Sequence, residues 1–571
     1  MAYCKIQKIP GGTQADDKWW ENLESKSKGK KWDTMRHNGV LFPEPYKPLP
    51  KNIKIKYDKK PISLDSTDTD NPLHITAEEA AVFFAMKIDQ DIRTEKPENK
   101  KAINDKIFCK NFWTDWKKIL GKDHIIKDFK LVDFTPIKDY IVKRSTEKKE
   151  EKKAMTPEEK AELKEQKAGI TELYGYAVID GVRLGMSAGI QPPGIYMSHA
   201  DSPLRGRIKK RIQPSDITLN VSKKYIPECK INGKPCKWGE VVEKKDVSWI
   251  ASYANPLDSK NTNYIYLKRE GSHWVCMDDK VKFEKARNLG KNITKVRKGY
   301  TQDLDSKASN TRQLATAVYL LDELAIRPGT EKDEKTESDT LGLTTLKCGN
   351  LKFERGSSVT FDFTGKSGVP FKKTVKVVES VYKNLKSLCT GKKDSEQVFP
   401  DINAISLNGY LKNFLPELTA KVFRTYKAGS ILQNELDNCV PKSTDEVHEK
   451  KLSFNKANIK VAQALNHKNL AAGDKKVDRV NKKIEELKEK KKTAKTPKQK
   501  AAVQKSIDVQ EGKLEEASEN ISMNTSKVNY IDSRIIVAWC KKYDMPIEKI
   551  YNKNLLKKFV WAMDTVSTWR F

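Results

Sequence analysis

No apolar run in this 571-residue chain approaches a membrane span: the longest, Ala80 to Met86, is seven residues, against the roughly 20 that a bilayer-crossing helix needs. Met1 to Gly12 holds neither the apolar stretch nor the small-residue cleavage site of a secretory leader, so the chain is expected to stay inside the cell. The nine cysteines are odd in number and scattered without a CxxC pair, which predicts reduced thiols rather than a disulfide framework. Cys229 and Cys236 stand closest together, but no His or Cys pair at a matching spacing follows, so zinc is not expected there. There is no GxxxxGK[ST] phosphate loop, no GxGxxG turn after a strand and no HExxH helix. ATP hydrolysis and zinc catalysis lose support accordingly.

What is abundant is positive charge. Lysine and arginine total 109 against 77 acidic residues, a net +32 that favours a polyanionic partner, nucleic acid first. Hydrophobic residues at 37% and 11 tryptophans supply too many apolar anchors for wholesale disorder. At roughly 150 residues per domain the length suggests about four modules. Only 17 of the basic residues are arginine, against 92 lysines. An arginine in this lysine-rich background is the less casual choice, because bidentate phosphate contact needs its planar fork.

Local patterns divide the chain. The prolines of Phe42 to Pro50 impose an extended strap after Trp19, Trp20 and Trp32. Ala80, Phe83, Phe84 and Ile88 recur at helical spacing, and Lys110 to Trp116 reads as an aromatic helix. Residues 144–168 are mostly Lys, Glu and Ala and predict a solvated helical arm. From about 175 to 300, short alternating pieces between Gly, Pro and Asn turns suggest antiparallel sheet. Leu314, Val318, Leu321 and Leu324 mark a helix ended by Pro328-Gly329. A hairpin follows, its strands around Phe361 and Phe371 and its tip at Lys366. Val477, Val480, Ile484 and Leu487, then Val503, Ile507, Leu514, Ala517 and Ile521, predict two helices paired as an antiparallel coiled coil, broken at Thr493 to Lys498. A compact tail runs to Phe571.

The segment Ser526-Lys-Val-Asn-Tyr530-Ile-Asp-Ser-Arg534, followed by Val537 to Lys542 and Pro546 to Lys553, resembles the C-terminal domain of eukaryotic-type DNA topoisomerase IB. Gly39 to Pro50, Lys110 to Trp116, Leu324 to Lys332, Leu418 to Tyr426 and Ser453 to His467 resemble further segments of that family, in family order. The resemblance implies an α+β, multidomain, two-lobed DNA clamp. It places an N-terminal extension at 1–29, core subdomain I at 30–47 and 156–273, a mixed α/β cap at 48–155, and a mainly helical catalytic core with its β-hairpin at 274–470. A coiled-coil linker falls at 471–521 and a small helical C-terminal domain at 522–571.

By the same resemblance Tyr530 is the nucleophile, Arg327, Arg424 and His467 stabilise the phosphate, and Lys366 is the general acid. Lys421, Asn529, Thr330, His199 and Lys209 fall beside the site or on the DNA path. The implied activity is relaxation of both supercoil signs through a 3'-phosphotyrosyl intermediate, strand rotation and religation. No cofactor, ATP or metal is implied. The implied partner is double-stranded DNA, bound by a monomer, with no membrane and no small-molecule substrate; the implied location is nuclear, or viral or otherwise intracellular.

The chemistry suits those residue types. A phosphodiester is anionic and slow to break, so a site must neutralise developing charge, supply a nucleophile and protonate a leaving alkoxide. Taken singly, Tyr530 reads as a packing tyrosine, Arg327 as a helix C-terminal charge, Lys366 as a turn residue and His467 as a capping histidine. Rival readings are a tyrosine recombinase and a noncatalytic architectural clamp. Some positions depart from the family pattern: Pro328 replaces Ala, Thr330 replaces Asn, Ser367 replaces an acidic residue, and Ile195 to Ala200 replaces an arginine-rich loop. These departures predict weak sensitivity to camptothecin-type poisons. The family's long charged tail is also missing, as expected of a truncated chain or one from a virus or reduced genome.

Overall fold

A computed structural model describes residues 30–65, 70–90, 101–198, 202–231, 234–268, 273–331, 340–468, 473–518 and 521–571. The 1–29 extension with Trp19 and Trp20, and His199, lie outside them. Helices and strands, antiparallel except for the parallel pair Thr218–Asn220/Glu240–Val242, are mixed through a chain that divides into two compact units, Met1–Trp274 with Lys332–Asp339, and Val275–Glu331 with Thr340–Phe571.

In the first unit, strands Met35–Arg36, Tyr176–Ile179 and Val182–Gly185 form one antiparallel sheet. Its hairpin turns at Asp180-Gly181, both at positive φ (50° and 82°), as a tight two-residue connection matched to strand twist requires. A larger sheet orders Glu240–Val242, Thr218–Asn220, Trp249–Ala254 and Thr262–Tyr266. The helical spacing seen around Phe84 yields the helix Ala77–Ala85, and the aromatic segment yields Lys106–Leu120. Phe84, Phe108, Phe112 and Trp116 meet in a fully buried aromatic core. The charged arm is two helices, Thr135–Ala154 and Pro157–Tyr174. They are separated at Thr156, whose side chain caps the second in a reciprocal box with Glu159. The second buries no residue, in keeping with its solvated composition.

Two expectations need correction in the segments before the core. Cys229 and Cys236 are not both reduced: they face each other across the hairpin Cys229–Ile231/Lys234–Cys236 with Cα atoms 5.1 Å apart and are joined as a disulfide. Six intervening positions made them look unpaired, but the antiparallel register of the two strands sets them opposite each other. The strand reading that ran to residue 300 also stops short. Residues His273–Asp303 form one long helix whose buried Phe283, Ala286, Leu289, Val296 and Tyr300 lie on a helical, not an alternating, period.

The second unit is mainly helical around one sheet. Helix Ser309–Leu324 buries Leu314, Val318, Leu321 and Leu324, and stops at Ala325 (φ 49°), earlier than Pro328-Gly329. Strands Leu351–Glu354, Ser358–Gly365 and Val369–Lys376 form a three-stranded antiparallel sheet, the last two being the predicted hairpin, with Phe363 stacked on Phe371 at 4.9 Å. Helices Ala420–Asn438 and Val447–Ala464 pack together, as do Gly473–Thr493 and Pro497–Ser518. The second pair buries Val480, Ile484 and Ile507. Pro497 is the first residue of its helix rather than part of the break, a position where the missing N–H costs nothing. A bridge between Lys468 and Ile521 closes the base of this pair, and Ser522 N–H donates to the His467 carbonyl at 2.9 Å. Short helices Met523–Asn529 and Ser533–Lys542 follow. Among the described residues no helix is long and apolar enough to cross a membrane.

Candidate active site

Arg424 lies in the first turns of helix Ala420–Asn438 and is only 4% exposed. Its guanidinium donates from Nη1 to the carbonyl of Ala325 and from Nη2 to that of Leu465 (3.0 Å). These residues are the C-caps of helices Ser309–Leu324 and Val447–Ala464. A helix leaves its last carbonyls unpaired and carries partial negative charge at that end, so two helix ends together hold one buried cation. Burial, and then the neighbouring Arg327, pull the Arg424 pKa down to about 10, while Tyr530 opposes the shift. The group remains charged at neutral pH. Its Nε is buried with no hydrogen-bond partner among the described residues.

His467 follows the end of helix Val447–Ala464, after Asn466 in the left-handed region (φ 52°). It is 4% exposed, with Nε2 3.4 Å from Arg424 Nη2 and Nδ1 2.9 Å from Ser526 Oγ. Burial first, then Arg424 and Arg327, lower its pKa to about 3. The ring is therefore neutral near pH 7. A guanidinium can only donate, so Nε2 accepts from Arg424 and Nδ1–H is left to donate to Ser526.

Tyr530 caps the helix Met523–Asn529 and is half-buried. Its ring centre lies 5.1 Å from that of His467 and 5.0 Å from the Arg424 guanidinium carbon. Burial alone would raise the phenol, but the nearby positive charges of Arg424 and then Arg327 outweigh it and lower the pKa. Arg327 stands in the irregular segment after Ala325. That segment is fixed by Leu343 N–H on the Arg327 carbonyl and Thr344 N–H on the Pro328 carbonyl, both at 2.8 Å. Lys558, 3% exposed, donates to the Val528 carbonyl at 2.6 Å and steadies the helix Met523–Asn529.

The chain carries matches to the models for the eukaryotic DNA topoisomerase I DNA binding fragment (residues 30–267), its catalytic core (271–502) and the C-terminal topoisomerase domain (502–571). It is 36% identical to DNA topoisomerase 1 of Mus musculus over 584 residues, covering 95% of this chain and 72% of that protein. The chain belongs to the eukaryotic DNA topoisomerase I family. It is also similar to DNA topoisomerase 1 beta of Arabidopsis thaliana (38% identical, 99% of this chain, 62% of the relative) and to DNA topoisomerase 1 of Caenorhabditis elegans (36%, 96% and 69%). It thus spans about six tenths of the plant relative's length.

In this topoisomerase I family member the structure brings Tyr530, Arg327, Arg424 and His467 together within the second unit. Lys366 occupies the exposed tip of the hairpin, beside Ser367 at φ 64°. Lys421 and Thr330 are exposed, and Asn529 donates from Nδ2 to the Thr525 carbonyl at 3.2 Å. Lys209 belongs to the first unit, half-buried on strand Ile208–Lys209, where burial and then Lys87 lower its pKa. Sequence reasoning missed Ser526, although it lies four residues before Tyr530 in the motif that carried the resemblance. It also missed the backbone carbonyls of Ala325 and Leu465, which no side-chain pattern announces.

Proposed function

We propose that the protein is a type IB DNA topoisomerase that relaxes positive and negative supercoils by transient cleavage of one strand. The observation that carries this reading is the convergence of Arg424 and Arg327 on the Tyr530 hydroxyl, with net lowering of its pKa despite burial. Two fixed cations favour the phenolate, and the same cations suit the nonbridging oxygens of a phosphodiester. The unpartnered Arg424 Nε adds a buried donor awaiting an acceptor.

In this reaction the Tyr530 oxygen attacks phosphorus, its proton passes to solvent water, and the bond to the 5'-oxygen breaks. The product is a 3'-phosphotyrosine that conserves the ester bond, so religation needs no nucleotide. Arg327 and Arg424 hold the nonbridging oxygens, His467 in its Nε2-protonated tautomer donates a further hydrogen bond, and Lys366 protonates the departing 5'-oxygen. Between cleavage and religation the DNA turns about its intact strand, and the basic helical pair within 471–521 retards the turning. A monomer acting in the nucleus on double-stranded DNA completes the reading. The high net charge of +32 predicts binding that is tolerant of sequence and weakened by salt.

The test is plasmid relaxation in EDTA without ATP, with Tyr530→Phe alongside. The wild type should relax DNA of both signs and the variant should not. Activity in the variant, or none in the wild type, overturns the proposal.

A further inference from the structure

Ser526 has no part in the chemistry above, yet it is completely buried and its Oγ lies 2.9 Å from His467 Nδ1. Its carbonyl accepts the N–H groups of Tyr530 (2.9 Å) and Ile531 (3.0 Å). One residue therefore fixes both the histidine ring and the turn that presents the nucleophile. The backbone repeats the tie where Ser522 N–H meets the His467 carbonyl.

We propose that Ser526 is a positioning residue for His467, holding Nδ1 so that Nε2 faces the scissile phosphate before and after DNA binds. The proposal deepens the Tyr530 reading and rests on it. In the free protein Arg424 donates to Nε2, so the ring proton sits on Nδ1 and the serine hydroxyl accepts it. Once a phosphate oxygen takes the guanidinium, a lone pair on Nε2 would oppose the anion. One proton then leaves Nδ1 for solvent and one arrives at Nε2, with no change in charge, and the hydroxyl turns to donate to Nδ1. A hydroxyl can serve both states because it donates and accepts. A methyl serves neither.

The experiment compares wild type, Ser526→Ala and Ser526→Thr in the full chain. It measures single-turnover formation of the covalent complex on an oligonucleotide duplex, duplex affinity, and the imidazole 15N pattern of His467 assigned with His467→Gln. Ser526→Ala should slow cleavage about tenfold, as expected for one lost hydrogen bond, leave duplex affinity unchanged and mix the two tautomers. Ser526→Thr keeps the hydroxyl and should restore the rate. An unchanged rate in Ser526→Ala, or an unchanged 15N pattern, overturns the proposal. The free wild type should show Nδ1 protonated, and any other form also overturns it, even if Ser526→Ala fails to fold. Failure of the wild type to cleave DNA would instead refute the proposed function, because the nitrogen pattern of the free chain is read without any cleavage.

Discussion

The guanidinium of Arg424 lies 5.0 Å from the centre of the Tyr530 ring while its Nη atoms donate to the carbonyls of Ala325 and Leu465. The residue is thus part of the frame as well as the electrostatics of the site. Arg424→Lys keeps one charge but loses the fork. Cleavage should fall at least about 100-fold, and stability should fall by about 1–3 kcal/mol as a helix-end carbonyl loses its donor. Single-turnover trapping and urea unfolding measure the two effects separately. Wild-type values in both would show that an ammonium suffices.

The neutral His467 makes stability depend on pH. Its folded pKa is about 3 against an ordinary value of 6.5, so between these limits the unfolded chain binds a proton that the folded chain refuses. Its contribution is whole above 6.5 and is lost as pH falls toward 3, with a slope of up to about 1.4 kcal/mol per pH unit. His467→Gln should flatten that part of the curve in urea titrations from pH 7 to 4. An unaltered slope would place the responsible proton elsewhere.

Gly342 lets the Arg327 segment sit where it does. A Cβ there would collide with the backbone of Gly329 and come within 2.8 Å of the Arg327 carbonyl oxygen. Backbone cannot yield as a side chain tip can, so Gly342→Ala should cost about 1–3 kcal/mol. It should also displace Arg327, slowing cleavage while leaving Kd for duplex nearly unchanged. Equal cleavage rates would show that the segment adapts.

If Lys366 protonates the leaving 5'-oxygen, its removal matters only when that atom needs a proton. Lys366→Ala should cleave ordinary duplex about 100-fold more slowly or worse. A 5'-bridging sulfur, which departs readily as a thiolate, should restore most of the rate. Equal defects on both substrates would assign Lys366 to binding.

By the resemblance, Ser367 and the segment from Ile195 leave a carboxylate and a guanidinium missing from the expected pocket. A planar poison of the camptothecin type should then need clearly higher concentrations to accumulate cleavage complexes. Trapping at ordinary low concentrations would refute this.

Parts of this fold could be read directly from residue patterns. The strands around Phe361 and Phe371 alternate faithfully because one face packs on the core, and Leu314 to Leu324 hold a helical stripe for the same reason. The long helix His273–Asp303 was obscured by its charged surface and by the strand-like segments before it. The site was legible only through likeness to a family. Arg327, Arg424, His467 and Tyr530 come from four separate segments, and no periodicity links them. Ser526 sits on a seven-residue helix, too short to impose a pattern, and its partner is 59 positions away. The Cys229–Cys236 pairing depended on strand register, which spacing alone does not reveal.

The bridge between Lys468 and Ile521, with the Ser522 N–H on the His467 carbonyl, fastens the base of the paired helices beside His467. Evolution and engineers alike can therefore trim or extend the paired helices by matched turns without retuning the reactive geometry, since closing a longer excursion costs little once its ends are fastened.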